Sequence, residues 1–180
     1  KRFDFEYMVG SGHHVDDLMI DGPPEIFEKA LDQQGGLEAL AIAYYRAVAD
    51  MIEALRPEVV GHFDLIRRNA PSAESVETPA IRQAAGDALE AARAHGCILD
   101  LNTAGYRKGL GSPYPAPWLL ATAHKMGLPF CFGDDSHSPD QVGAGIDEAR
   151  EYLLEHGIDH VTALVREDGA LAKKEVSLRD

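Results

Sequence analysis

The stretch GDDSHSP at residues 133–139 sets Asp134, Asp135 and His137 between an apolar run, LPFCF, and a segment that opens like a helix. Two adjacent carboxylates repel each other, and without a cation one of them would have to keep its proton. A divalent metal reverses that balance, because it binds ionised carboxylate and neutral imidazole together. In an extended chain neighbouring side chains point to opposite faces, so a period of two pairs Asp135 with His137. Asp134 then faces a helix layer or stands behind an imidazole and orients it.

The same chemistry recurs elsewhere. His13 and His14 follow FEYMVGSG, His62 follows EVVG, and Asp100 and Asn102 close CILDLN. Each lies at the end of a short apolar run bounded by Gly, Pro, Asn or Asp. A single buried histidine is usually a core residue bonded to a carbonyl; recurrence at run ends is what favours a shared metal. The choice between His13 and His14 stays open. His95 and His156 close helices, His124 belongs to one, and His160 begins a strand, so these four are read as structural. Arg107 and Lys108, in the Gly-bounded loop NTAGYRKG, offer a fork and a point charge suited to an anion such as phosphate or carboxylate.

Five strand-like runs, 5–11, 58–64, 97–102, 129–134 and 160–166, alternate with helical patterns at 36–55, 79–94, 117–126 and 140–156. The first helix places Leu37, Leu40, Ala41, Tyr44, Val48, Met51, Ile52 and Leu55 on one stripe, and the last enters through Ser138-Pro139. Such alternation predicts an α/β fold, a parallel sheet covered by helices and either open or closed into a barrel. Chemistry in these folds gathers at the carboxyl ends of the strands, where four of the five runs deliver a polar or metal-capable side chain. The fifth delivers only Arg166. The loop 67–78 is read as a connection or a rim, and the C-terminal LAKKEVSLRD as a short edge element or tail.

The 180 residues, 45% hydrophobic, suffice for one domain over 1–180. A formal net charge of -13 disfavours nucleic acid and anionic membrane as partners. No run reaches bilayer length, and KRFDFEYMVG lacks the pattern of a signal peptide, so a cytoplasmic location is expected. Cys97 and Cys131 sit in apolar runs and read as buried thiols of a reducing compartment.

Taken together, VGSGHHV, VVGHFDLIRR, LDLNTAGYRKG, PYPAPWLL and FGDDSHSPDQVG resemble, in order and spacing, the histidinol-phosphate phosphatases of the polymerase and histidinol phosphatase (PHP) superfamily. The resemblance implies a distorted TIM-like (β/α)7 barrel that hydrolyses L-histidinol phosphate to L-histidinol and phosphate in histidine biosynthesis. It implies two or three divalent metal ions, zinc, manganese or iron, with His13, His62, Asp135 and His137 among the ligands. Asn102, Tyr106, Arg107 and Lys108 match the segment lining the substrate pocket, with Arg107 on the phosphate; Asp135, His137 and Arg107 are the expected catalytic groups. The family's His-x-His strand and further ligands precede the Gly-Ser-x-His motif, and no His-x-His is present here. The expectation is therefore a C-terminal portion of the domain, weak in metal binding and inactive by itself. Another PHP-type phosphoesterase substrate and a non-catalytic metal- or ligand-binding domain are the alternatives.

Overall fold

A computed structural model describes residues 5–179; the parts of the readings above that fall on residues 1–4 and on Asp180 lie outside the described residues. Its first apolar run narrows to a strand β1 (Val9–Gly10), followed by a small antiparallel hairpin of β2 (His14–Val15) and β3 (Leu18–Met19). The hairpin turns through Asp16 and Asp17, both at positive φ (47° and 64°), a conformation aspartate tolerates better than most residues. Two helices follow, α1 (Pro24–Gln34) and α2 (Leu37–Leu55). Gly35 at φ 84° ends α1 in the left-handed conformation that favours glycine.

Then come β4 (Val59–Val60), α3 (Pro79–Ala94), β5 (Ile98–Asn102), the single-turn α4 (Ala104–Arg107), α5 (Pro117–Lys125) and β6 (Phe130–Gly133). Thr78 caps α3 by accepting the Ile81 amide, and Pro79 fills the first helical position, where an N–H would have no partner. Strands β1, β4, β5 and β6 lie side by side in that order, all parallel. The predicted parallel sheet is therefore present, with β1 and β6 as its edges, and α2 packs on α3 beside it. The α2 stripe buries Leu40, Ala41, Tyr44, Val48 and Ile52 as its spacing requires, whereas Leu55 is exposed.

The C-terminal part departs from the expected pattern. The helix read over 140–156 begins with a 3-10 turn, Pro139–Gln141, and the α-helix α6 runs only over Ile146–Glu155. Gly143 and Gly145, at φ 75° and 80°, interrupt the helical path between them. The fifth run forms β7 (His160–Glu167), which pairs antiparallel with β8 (Ala170–Ser177) and joins no parallel ladder. Asp168-Gly169, both at positive φ, supplies the two-residue turn that makes this a hairpin, so the C-terminal segment is a full strand and no tail.

The loop after β4 is anchored inward. Asp64 and Arg67 are buried and paired, Nη1 to Oδ2 at 3.2 Å. Arg67 also donates to the Pro113 carbonyl (3.0 Å) and Ser112 Oγ (2.8 Å), and Asp64 accepts the Ala116 amide (2.7 Å). Tyr44 accepts the Leu65 amide and donates to the Phe63 carbonyl, which ties the same turn to α2. Arg67→Met leaves a buried carboxylate without its partner, a loss of about 3–5 kcal/mol for pairs of this kind. A clear drop in the urea midpoint of unfolding is expected; an unchanged midpoint would show that the pair does not hold the 62–67 turn to the 112–116 segment.

Candidate metal and anion site

Because the four parallel strands end on one edge, the segments that follow them meet there. The segment after β1 carries His13 and the turn after β4 carries His62, and their rings touch edge to face, with centroids 4.8 Å apart and planes at 81°. Of the two histidines between which the choice was open, the structure brings His13 to His62, whereas His14 lies in β2, exposed and paired with Met19.

His13 Nδ1 bonds Asp21 Oδ2 at 3.1 Å. That bond, ahead of any other influence, raises the His13 pKa, and it leaves Nε2 for another partner. Burial works to raise the Asp21 pKa, yet the bond and charge of His13 outweigh it and hold the carboxylate below its usual range. His62 is buried at φ 27° and its Nδ1 meets no partner. Burial, reinforced by the charge of His13, pushes its pKa down to about 4, so the imidazole is neutral near pH 7, the form that binds a cation.

Behind His62 lies Asp100. It sits on β5 two residues from Asn102, so both side chains share one face of the strand. Asp100 Oδ1 accepts the His62 amide at 2.6 Å and Oδ2 accepts Asn102 Nδ2 at 2.8 Å. Burial pushes the Asp100 pKa up to about 7 against the pull of these two donors. Gly133 makes room for it: a Cβ there would lie 2.5 Å from Asp100 Oδ2 and 3.1 Å from its Cγ.

On the other side β6 stops at Gly133, and Asp135 has φ 48°. The extended-chain pairing of Asp135 with His137 is thus corrected, since the backbone leaves the strand before reaching either residue. Asp134 instead braces its own loop, accepting the Gly143 amide at 2.6 Å and the Ser136 amide at 3.1 Å. These bonds, that of Gly143 first, hold its pKa below the usual carboxylate range. The Asp135 carboxylate meets Lys108 Nζ at 3.3 Å, and Arg107 Nη2 donates to the carbonyls of Asp134 (2.6 Å) and Asp135 (3.1 Å). The two cations singled out as an anion clamp therefore stand beside the candidate acid.

His137 is exposed, with Nδ1 bonded to the Asp135 carbonyl at 2.7 Å. Among the described residues no three of His, Cys, Asp and Glu gather closely enough to hold a metal by themselves. The structure thus joins His13 to His62 and sets Asp135 among cations, while His137 stays on its own loop. Asn102 is turned inward, 2% exposed, with its amide nitrogen given to Asp100 and its Oδ1 accepting the Ala104 amide at 3.0 Å. Tyr106 and Arg107 line a cleft of about 430 Å³ with Thr103, Ala144, Gly145 and Glu148.

Two residues of the site escaped sequence reasoning. Asp21 is one; Tyr114, buried against the His62 ring at 6.2 Å between centroids with its Oη unpartnered, is another. Asp100 was visible only as one more polar residue at a strand end. His95 pairs with Glu53 and His156 Nδ1 bonds the Tyr152 carbonyl, in keeping with structural roles, and Glu6 pairs with Arg166. Cys97 and Cys131 are free thiols, and burial raises the pKa of each.

The donor set suits a cation in kind. His13 and His137 each have Nδ1 occupied, by carboxylate and by carbonyl, which is how metal-binding imidazoles are commonly oriented, and His62 keeps a buried nitrogen without a partner. Gly133→Ala is expected to displace Asp100 and cost about 1–3 kcal/mol, as overpacking of a full site does. Thermal unfolding checks this, and an unshifted midpoint would mean that Asp100 has room to move.

No protein-family model matches the chain. It is 37% identical over 161 residues to the probable histidinol-phosphatase of Schizosaccharomyces pombe, covering 87% of this chain and 53% of that protein. Against the histidinol-phosphatase of Saccharomyces cerevisiae it is 28% identical over 174 residues, covering 83% of this chain and 52% of that one. Its fold is similar to that of the histidinol phosphate phosphatase from Lactococcus lactis, solved in complex with zinc, L-histidinol and phosphate, with a TM-score of 0.65 at 20% identity over 93% of this chain and 62% of that chain. The chain spans about half the length of the curated relatives it matches.

Proposed function

The chain belongs to the histidinol-phosphatase family, and from that premise we propose that it is the carboxyl-terminal portion of a metal-dependent phosphomonoesterase that converts L-histidinol phosphate and water to L-histidinol and phosphate. The observation that carries this reading is the contact between His13 and His62, with the unpartnered His62 Nδ1, at the edge where Asp135 meets Lys108 and Arg107. A zinc ion accompanies the substrate's two products in the Lactococcus lactis relative. By the same reading the four-stranded sheet is part of a distorted (β/α)7 barrel whose other strands come from an upstream segment. The outer edge of β1, which pairs with no strand among the described residues and has Tyr7, Met8 and Val9 exposed along it, supports this. Two buried or half-buried free thiols accord with a cytoplasmic setting.

His13, His62, Asp135 and His137 would hold the metal ions, two or three in number and zinc, manganese or iron in kind. When bound, such ions supply Lewis acidity and acidify water toward a pKa of about 7. The chain's own groups do the rest. Arg107 and Lys108 receive the phosphate, exchanging their present carbonyl and carboxylate partners for its oxygens, and Tyr106 lines the cleft beside them. Asp21 keeps the His13 ring in place. Water oxygen bonds to phosphorus as the bond from phosphorus to the histidinol oxygen breaks, and Arg107 balances the charge spread over the transferring group. Asp135 or His137 takes the proton that the attacking water gives up and passes it to the departing alkoxide.

A second reading, a metal-binding portion without turnover, is favoured for the 180 residues alone by the missing third donor among the described residues. In the complete polypeptide, chelation is expected to abolish turnover of L-histidinol phosphate and added zinc or manganese to restore it. His62→Ala and Asp135→Asn should each lower kcat by roughly 100-fold or more, as loss of a preorganised charged group does, and release metal on elemental analysis. Full activity after chelation and in both variants would overturn the proposal. A panel of phosphomonoesters on which histidinol phosphate is not preferred would overturn the substrate.

A further inference from the structure

We propose that Asp100 and Asn102 are positioning residues that join the His62 turn to the helical turn carrying Arg107 and Lys108, and that neither is a ligand or a substrate contact. The proposal rests on the reading of His62 as a metal-binding residue. Its geometry is a continuous bridge: the His62 amide donates to Asp100 Oδ1, Asn102 Nδ2 donates to Asp100 Oδ2, and the Ala104 amide donates to Asn102 Oδ1, at 2.6, 2.8 and 3.0 Å.

Each end of the bridge sits where position matters. His62 has a φ of 27°, a backbone value that side-chain-bearing residues adopt only when the surroundings impose it. The Asp100 carboxylate is the group that holds its amide. At the other end Ala104 begins α4, whose last residue, Arg107, and the capping Lys108 meet the Asp134 and Asp135 loop. The middle of the bridge cannot shift. Asn102 is locked through its backbone to Tyr114 in both directions, at 2.7 and 3.0 Å, and Gly133 leaves only the space that Asp100 occupies. Both side chains are almost wholly buried, 6% and 2% exposed, and the bonds named account for both carboxylate oxygens and both ends of the amide. Each of these atoms already has an internal partner, and those partners are the two segments that the pair joins.

The bridge has a direction that can be tested by exchanging its chemistry. Asp100 only accepts, and Asn102 donates to Asp100 while accepting from Ala104. Asp100→Asn sets two amide NH2 groups against each other; turning the Asn102 amide over repairs that contact and sets a donor against the Ala104 amide instead. Asn102→Asp sets two carboxylates face to face. The double exchange, Asp100→Asn with Asn102→Asp, restores every bond: Asn at 100 accepts from His62 and donates to Asp at 102, which accepts from Ala104.

The experiment compares the parent chain, the two single variants and the double exchange by zinc dissociation constant, by amide hydrogen exchange at His62 and Ala104, and by thermal midpoint. The single variants should weaken zinc binding by roughly 10- to 100-fold, the usual effect of removing a group that orients a ligand, and should speed exchange at both amides. The double exchange should return both measurements to within about threefold of the parent, the range expected when bonds are remade. Folded single variants that bind zinc and exchange as the parent does, or a double exchange as impaired as the worse single variant, would overturn the bridge. A lowered melting midpoint with unchanged zinc affinity would mark a merely structural role and also count against it. A parent that holds no zinc, yet shows protection from exchange lost in the singles and restored in the double, supports the bridge and counts against the metal reading of His62 alone.

Discussion

Parallel pairing is the constraint from which the site follows. Strands that run the same way must each be followed by a crossover, and they end on a common edge. Here β1, β4, β5 and β6 are neighbours in chain order, so the residues after each strand arrive beside those of the next. Strands of two to five residues provide little sheet, and much of what holds the edge together is side-chain bonding from one post-strand segment to another. Asp100 reaches from β5 to the turn after β4, and the Asp64 and Arg67 pair reaches from that turn to the segment before α5.

Charge in this chain is arranged locally in a way its total conceals. A net charge of -13 would repel a phosphate ester from most of the surface. At the edge, however, Lys108 meets the Asp135 carboxylate and Arg107 the backbone beside it, and the most buried carboxylates there are tied up by internal donors. Neutral His62 adds a nitrogen without adding repulsion toward a cation. An arrangement of this kind would let an anion and a cation be received side by side, as metal-assisted hydrolysis of a phosphate ester uses them.

What the residues revealed in advance, and what they hid, divides along physical lines. The parallel sheet and the places of His62, Asp135, Arg107 and Lys108 were legible because apolar runs bounded by turn residues mark strand ends whatever the tertiary structure. The choice of His13 over His14 was not, since it depends on a hairpin beginning at His14. Asp21 was hidden for the same reason: it meets His13 only across that hairpin, whose turn is made by two aspartates and no glycine. The extended pairing of Asp135 with His137 failed because Asp135 takes a positive φ, in a loop where Asp134 accepts the Gly143 amide. Asn102 is expected in the pocket through its match to the family's segment, and its 2.8 Å bond to Asp100 could be seen only in the fold. In β7 the opposite error occurred: Asp168-Gly169 is a hairpin signal in plain view, outweighed by the regular alternation of strands and helices before it.

The account stands or falls on whether His13 and His62 share a cation. A crystal of the chain grown with zinc, with diffraction collected on either side of the zinc absorption edge, locates the ion without reference to activity. The account predicts an anomalous peak within about 2.0–2.1 Å of an imidazole nitrogen of both residues, the usual zinc to nitrogen distance. Zinc bound only elsewhere, at the exposed His160 and Asp159 for instance, with the two rings still in contact and no peak between them, would contradict it.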